Sequence, residues 1–234
     1  MIRIRLIVLL NIGLLIQNMN AGYKSQIGQD KFLNEYVFNN KKKGVFIDIG
    51  AHDGITYSNT YFFEKELGWT GICLEPLPKE FEKLRKNRDC ICIDACIAAH
   101  EGTVPFMLID DVLEDYGNML SGMVHTYDER HFKRLLNELK EKGGNIHIVD
   151  MPAYRLDTIL YKYGFFNIDY ISLDTEGSEF EILQTIDFQR FHIKALTVEN
   201  NYADPRIRTF LKEQGFTFIV YLCNQDEIYI NHNF

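Results

Sequence analysis

Val45 to Gly54, VFIDIGAHDG, is the stretch whose reading decides the fold. Four apolar residues surround Asp48 and run straight into Gly-Ala-His-Asp-Gly. The run has the length of a buried strand, and a strand interior does not keep a carboxylate without a polar partner. Either the turn is polar for its own geometry, or a ligand meets Asp48 there. Gly50 lets the backbone approach a ligand, and Gly54 relaxes the turn into the following helix. Ligands on open α/β sheets bind at the carboxyl ends of strands, which is where this turn falls.

Outward from it, short apolar runs alternate with helical patterns, the signature of a parallel sheet covered by helices. Ser58 is read as a helix cap and Gly68 as that helix's stop. A second strand follows at Gly71–Glu75, then a helix with Leu77, Phe81 and Leu84 on one stripe. The third strand is read as Cys90–Ile97. An inserted segment, about residues 102–152, holds an extended piece (GTVPFMLID), a loop and a helix capped by Asp128. That helix carries an apolar stripe of Phe132, Leu135, Leu136 and Leu139, and a second extended piece (NIHIVDMPAY) follows it. A short helix with Asp157 as its cap leads to the fourth core strand, Ile168–Asp174, with Ser178 capping the next helix. Ala195–Glu199 is the fifth. Asp204, Pro205 and Gly215 punctuate a helix, and Phe216–Leu222 and Glu227–Ile230 are close enough to form an antiparallel hairpin.

At 234 residues and 46% hydrophobic, the chain can bury one large core. A formal charge of −8 argues against a nucleic-acid partner, which needs a basic surface. The five cysteines form no CxxC pair and read as free thiols, which favours a reducing compartment. Residues 1–22 argue the other way. Arg3 and Arg5 precede an apolar run from Leu6 to Ile16, the shape of a signal peptide or an uncleaved membrane anchor. Export or membrane attachment and a cytosolic fate stand level on these features.

The ligand class follows by elimination. The turn lacks the middle glycine of G-x-G-x-x-G, so a pyrophosphate has no bed, and no G-K-[ST] loop occurs. What fits is a nucleoside without a pyrophosphate, and S-adenosylmethionine is one. Asp48 would attract its cationic end and Glu75 its ribose diol, with Asp94 and Ala95 beside the adenine. His52 sits in the same turn as a cofactor-loop residue and a candidate base.

Here the chain resembles a known family. SQIGQDKFL (Ser25–Leu33), GVFIDIGAHDG, GICLEPLP, YRLDTIL and ISLDTEGSEFEIL are similar, in order, to the pattern of FkbM-family S-adenosylmethionine-dependent methyltransferases. The resemblance runs from about Ser25 to Ile230 and frames residues 23–234 as one methyltransferase domain. It implies an α/β class I methyltransferase (Rossmann-like) fold. The expected sheet is seven-stranded and mostly parallel, with an antiparallel C-terminal hairpin and the insertion between core strands three and four. It implies O-methylation of a hydroxyl on a sugar, glycan or other small metabolite, with Asp48, Gly50, Glu75 and Asp94 at the cofactor.

The chemistry is expected at LDTEGSEFE. Asp174 and Glu176 end the fourth strand, which abuts the first in such sheets. A carboxylate there can take the acceptor's proton if burial raises its pKa, or the acids can hold a divalent metal ion that acidifies the hydroxyl. Glu179 and Glu181 read equally well as acids of a helix's first turns. Gln26, Gln29 and Asp30 could close over the cleft. The loop from Asp110 to Tyr127 is the expected acceptor-facing element. Two other readings stay open at this stage: an inactive, membrane-tethered interaction module, and a nicotinamide-dependent oxidoreductase. The acceptor and the oligomeric state are not written in the sequence.

Overall fold

The structure is a computed structural model that describes residues 22–110 and 117–233. The signal-like segment lies outside the described residues apart from Gly22, as does part of the loop expected over the cleft. Among the described residues, no helix is long and apolar enough to cross a membrane.

The main sheet contains β1 (Val45–Ile49), β2 (Thr70–Leu74) and β3 (Ile91–Ile93). After the insertion come β8 (Asn167–Leu173), β9 (His192–Glu199), β10 (Phe216–Leu222) and β11 (Asp226–Asn231). Its order is β3-β2-β1-β8-β9-β11-β10. The first five strands of that order are parallel, and β11 runs antiparallel to both neighbours. The chain builds outward from β1 to β3, then restarts on the other side of β1 with β8. The carboxyl ends of β1 and β8 therefore meet at the reversal of strand order, where such sheets bind ligands.

Strand β1 is buried from Phe46 to Ile49 because helices cover both faces. Successive side chains alternate between two cores. Ile47, Ile49, Ile72, Leu74, Ile171 and Leu173 face one way, toward α5 (Leu156–Tyr163), α6 (Glu179–Gln184) and α7 (Pro205–Glu213). Phe46, Cys73, Tyr170 and Ala195 face the other, with Phe32 and Leu33 of α1 (Gln29–Leu33), Phe62 and Phe63 of α2 (Tyr61–Leu67), and Leu84 of α3 (Pro78–Asn87).

Helix punctuation follows the sequence in part. Gly68 ends α2 at φ 65°, and Asp204 caps α7 through Arg206 N at 2.9 Å. Ser58 accepts from Tyr61 N at 3.1 Å, although Thr60 holds the cap position. One expected cap lies inside its helix, and another holds the cap position without the side-chain bond. Asp157 lies inside the first turn of α5 and pairs with Arg155 at 2.8 Å. Ser178 stands at the start of α6, but its hydroxyl donates to Thr175 Oγ1 at 2.6 Å.

The single third strand read from Cys90 to Ile97 is two. The chain leaves the main sheet at Asp94–Ala95, and β4 (Cys96–Ile97) joins a second sheet of order β4-β7-β5-β6. There β5 (Gly102–Asp110) and β7 (Asn145–Tyr154) pair antiparallel along their length, with β6 (Gly122–Met123) on the outer edge of β5. Between β6 and β7 lies α4 (Glu129–Lys142), capped by Asp128 at Arg130 N (2.8 Å) and His131 N (2.9 Å). Its buried residues are His131 and Leu135, whereas Phe132 and Leu136 are 40% and 46% exposed, contrary to the expected stripe. The helix lies along the cleft, so Arg134, Glu138 and Lys142, at four-residue spacing, border its opening.

Candidate active site

One cleft of about 370 Å³ opens at the carboxyl ends of the parallel strands, a size suited to a small molecule. It brings together Asp48, Gly50, His52, Glu75, Ala95, Asp174 and Glu176. Gly54 and Asp94 do not line it. A Cβ at Gly54 would meet Arg88 Cγ and Leu84 Cδ1 at 2.7 Å, so this glycine serves helix packing. Asp94 is exposed at the point where the chain departs for the second sheet.

Gly50, at φ 83°, is pressed against the neighbouring strand's end, with no room for a side chain before the Asp174 carbonyl. Asp48 is buried and shared within the protein. Thr60 Oγ1 donates to it at 2.5 Å, Ser172 hydrogen-bonds it, and an Arg88 nitrogen stands 3.9 Å away. Burial raises its pKa against the lowering field of Arg88. Beside it Asn59 Nδ2 donates to Ser172 Oγ at 3.0 Å, leaving Asn59 Oδ1 buried without a partner.

Glu75 accepts the backbone N–H groups of His52 and Leu77, each at 2.8 Å. These bonds fix the turn after β1 to the end of β2. Burial nevertheless pushes its pKa up to about 7. His52 adopts φ 49°, a strained backbone for a residue with a side chain. Its Nε2 lies 3.3 Å from Asn118 Oδ1 and 3.6 Å from Glu80 Oε2. Burial lowers its pKa, but Asp53, Glu80 and Glu75 outweigh this and raise it. His52 is thus favoured as a cation among acids, which suits a structural tie better than a proton acceptor.

At the other end of the cleft the acids gather. Asp174 N donates to Ile49 O at 3.1 Å, and its side chain is open to the cleft. Glu176, at φ 57°, turns a mostly buried carboxylate inward. Asp174, open to the cleft but enclosed by its walls, and Glu199 are both raised well above the ordinary carboxylate range, by separation from bulk water and then by neighbouring acids, and they hydrogen-bond each other. Burial also pushes Glu176 to about 8 and Asp226 to about 6. Glu179 acts locally, accepting from Thr175 N and Oγ1 at 2.8 Å and so closing the turn before α6. Asp30 does the same upstream, accepting from Lys24 N at 2.7 Å and Ser25 Oγ at 2.5 Å. Gln29 reaches into the cleft and donates to Asp226.

Sequence reasoning passed over Glu199, Asp226, Asn59 and the α4 residues Arg134 and Glu138. Glu199 carried a usable signal, since it ends a core strand as Asp174 follows one. The others depend on contacts between distant segments.

This strand order, with its cleft at the reversal point, defines a class I methyltransferase fold. The chain belongs to the FkbM methyltransferase family: the description "Methyltransferase FkbM domain" matches residues 48–218. It is similar to the methyltransferase sdnD of Sordaria araneosa, at 23% identity over 189 residues, 73% of this chain and 72% of that one. Among solved structures it is similar to a methyltransferase FkbM from Methylobacillus flagellatus KT, at 12% identity and TM-score 0.48. That match covers 82% of this chain but only 44% of the other. It is also similar to Aeropyrum pernix fibrillarin, solved with bound S-adenosyl-L-methionine, at 12% identity and TM-score 0.47, over 90% and 76% of the two chains.

Proposed function

We propose that this chain is an S-adenosylmethionine-dependent methyltransferase that modifies a hydroxyl on a sugar, glycan or other small metabolite. One observation carries the reading: the strand ends change character in order across the sheet. Ala95 and Ile97 beyond β3 and Leu77 beyond β2 give an apolar wall; Glu75 and Gly50 follow; Asp174, Glu176 and Glu199 give an acidic end.

The residues present suit the cofactor. The apolar wall suits a flat base, and the two oxygens of Glu75 suit a ribose diol. Asp48 and the unpartnered Asn59 Oδ1 suit an ammonium group. Bound S-adenosylmethionine supplies an electrophilic methyl group on a sulfonium. This chain's part is to hold the acceptor and relieve its hydroxyl of a proton. Asp174, open to the cleft and more basic than an ordinary carboxylate, is the group assigned to accept that proton. Arg134, Glu138 and Lys142 border the acceptor's approach, so the inserted helix would set its selection. The acidic end of the cleft disfavours a polyanionic acceptor such as a nucleic acid.

The test is calorimetric titration of the full chain with S-adenosylhomocysteine, followed by transfer of labelled methyl to a panel of hydroxylated acceptors. Saturable binding that weakens about tenfold or more in Glu75→Gln is expected. No saturable binding, or a preference for NADH, would overturn the reading.

A further inference from the structure

Three acids converge beyond the nucleoside end of the cleft. Asp174 and Glu176 follow β8 and Glu199 ends the adjacent β9, and one carboxylate oxygen from each lies within 4.8 Å of the others. Arg134, whose field reaches Glu176, has its ion pair with Glu138 at 3.2 Å. A convergence of acids alone would say little, because hydration and shared protons can relieve it.

A second observation comes from a different element. His131, on α4 of the insertion, is only 3% exposed, and its ring is hydrogen-bonded by the Leu120 backbone. Its Nε2 has no hydrogen-bond partner, yet it stands 3.6 Å from Glu176 Oε2, which has none either. A buried imidazole nitrogen therefore points at the acid cluster across a gap too long for a hydrogen bond. With its other ring nitrogen donating to the Leu120 backbone, the neutral imidazole turns the lone pair of Nε2 toward Glu176 Oε2, and two acceptors facing each other in a buried place call for a positive charge nearby.

We infer that Asp174, Glu176 and Glu199 form a site for one divalent cation, Mg²⁺ or Mn²⁺, with the buried His131 ring facing Glu176 beside it. Carboxylate oxygens without a thiolate select hard cations, and an open side suits ions that keep part of their water. Each acid contributes one oxygen, so Asp174 retains its second for the acceptor's hydroxyl. His131 brings α4 of the insertion to the edge of the same cluster. The catalytic use of the ion rests on the methyltransferase reading; its binding does not.

The test is a titration of the full chain with Mn²⁺, followed by the loss of the free-ion electron paramagnetic resonance signal, with Mg²⁺ as competitor. One saturable site displaced by Mg²⁺ is expected. Glu199→Gln and Glu176→Gln should each weaken it more than about tenfold, and His131→Ala, which removes a neighbour and not a ligand, by a smaller factor. Asp94→Asn, an exposed acid outside the cluster, should leave it unchanged. Glutamine is close to isosteric with glutamate and adds no charge to a crowded set of acids, so the ion-free variants should melt no lower than the parent chain. Absence of a saturable Mn²⁺ site in the unaltered chain, or binding that survives both Glu→Gln changes, overturns the inference. Adenosylhomocysteine binding, read separately, keeps the two ideas apart. A chain that takes the nucleoside but no Mn²⁺ retains the methyltransferase reading alone, and the converse result retains the cation site alone.

Discussion

Gly50 and Asp174 meet backbone to backbone: a Cβ built on Gly50 would stand 1.8 Å from the Asp174 carbonyl oxygen. The turn after β1 and the acid after β8 are thereby set at a fixed spacing, which makes the floor of the cleft. Gly50→Ala must push β8 away from β1 and also hold φ 83° with a side chain. The backbone conformation costs roughly 1–2 kcal/mol and the overpacking about 1–3 more. Gly164→Ala is the control. It has φ 76° but nothing within 4 Å of its added Cβ, so only the backbone cost of roughly 1–2 kcal/mol applies. Urea unfolding of both variants should separate the two contributions, and equal losses would refute the contact.

Glu75 gives the protein a pH dependence of known sign. Its pKa is 4.5 in a free carboxyl and about 7 in the fold. Between those values the folded chain keeps a proton that the unfolded chain has released. Stability from this group is therefore greatest below pH 4.5, falls as pH rises, and levels off above about 7, a loss of about 3 kcal/mol in all. Other cleft acids add slopes of the same sign, so the measurement is the difference between the parent chain and Glu75→Gln. Chemical unfolding from pH 4.5 to 8 should show a shallower fall in the variant. Parallel curves would mean that Glu75 is not held protonated.

Arg88 is the cation on which the buried half of the cofactor turn depends. Its side chain is wholly buried and reaches Glu64, Thr60 Oγ1 (2.9 Å), Gly54 O (3.2 Å) and Ser58 Oγ (3.3 Å), with Asp48 3.9 Å away. Arg88→Met leaves two buried carboxylates without their counter-charge. The expected loss is about 3–5 kcal/mol. Salt should change it little, because the network is shielded from solvent. A loss under about 1 kcal/mol by urea unfolding, the worth of a surface pair, would contradict this account.

Much of this was legible in the sequence for local reasons. VFIDI is buried on both faces and reads as a strand without help, and Gly68, Asp204 and Pro205 mark helix ends by their own chemistry. The failures have tertiary causes. CICIDACI alternates like one strand, yet the chain turns away at Asp94 because Cys96 and Ile97 find their partners in Ala153 and Tyr154. The apolar residues of α4 suggest Phe132 and Leu136 as core, but which face is covered depends on where the helix lands. That is why His131 was hidden. Gln29 meets Asp226 across most of the chain's length, and no local pattern announces such a pair.

Asp174 and Glu75 should part company kinetically. Glu75 is assigned to the cofactor's ribose, so Glu75→Gln should raise the KM for S-adenosylmethionine more than it lowers kcat. Asp174 is assigned to the acceptor's proton, which leaves only as the methyl group arrives. Asp174→Asn should lower kcat by about 10²–10⁴, while adenosylhomocysteine affinity moves within about threefold, well under the tenfold that corresponds to 1.4 kcal/mol. The pH profile adds a test that a merely structural role would not meet. A base works only when ionised, and burial and neighbouring acids raise Asp174 well above the ordinary range. In the ion-free enzyme, kcat should therefore climb with pH above the range where free carboxylates titrate, and the climb should flatten in Asp174→Asn. A variant that keeps the same climb would move the proton acceptor to another cleft acid, with Glu199, the hydrogen-bonded partner of Asp174, first in line.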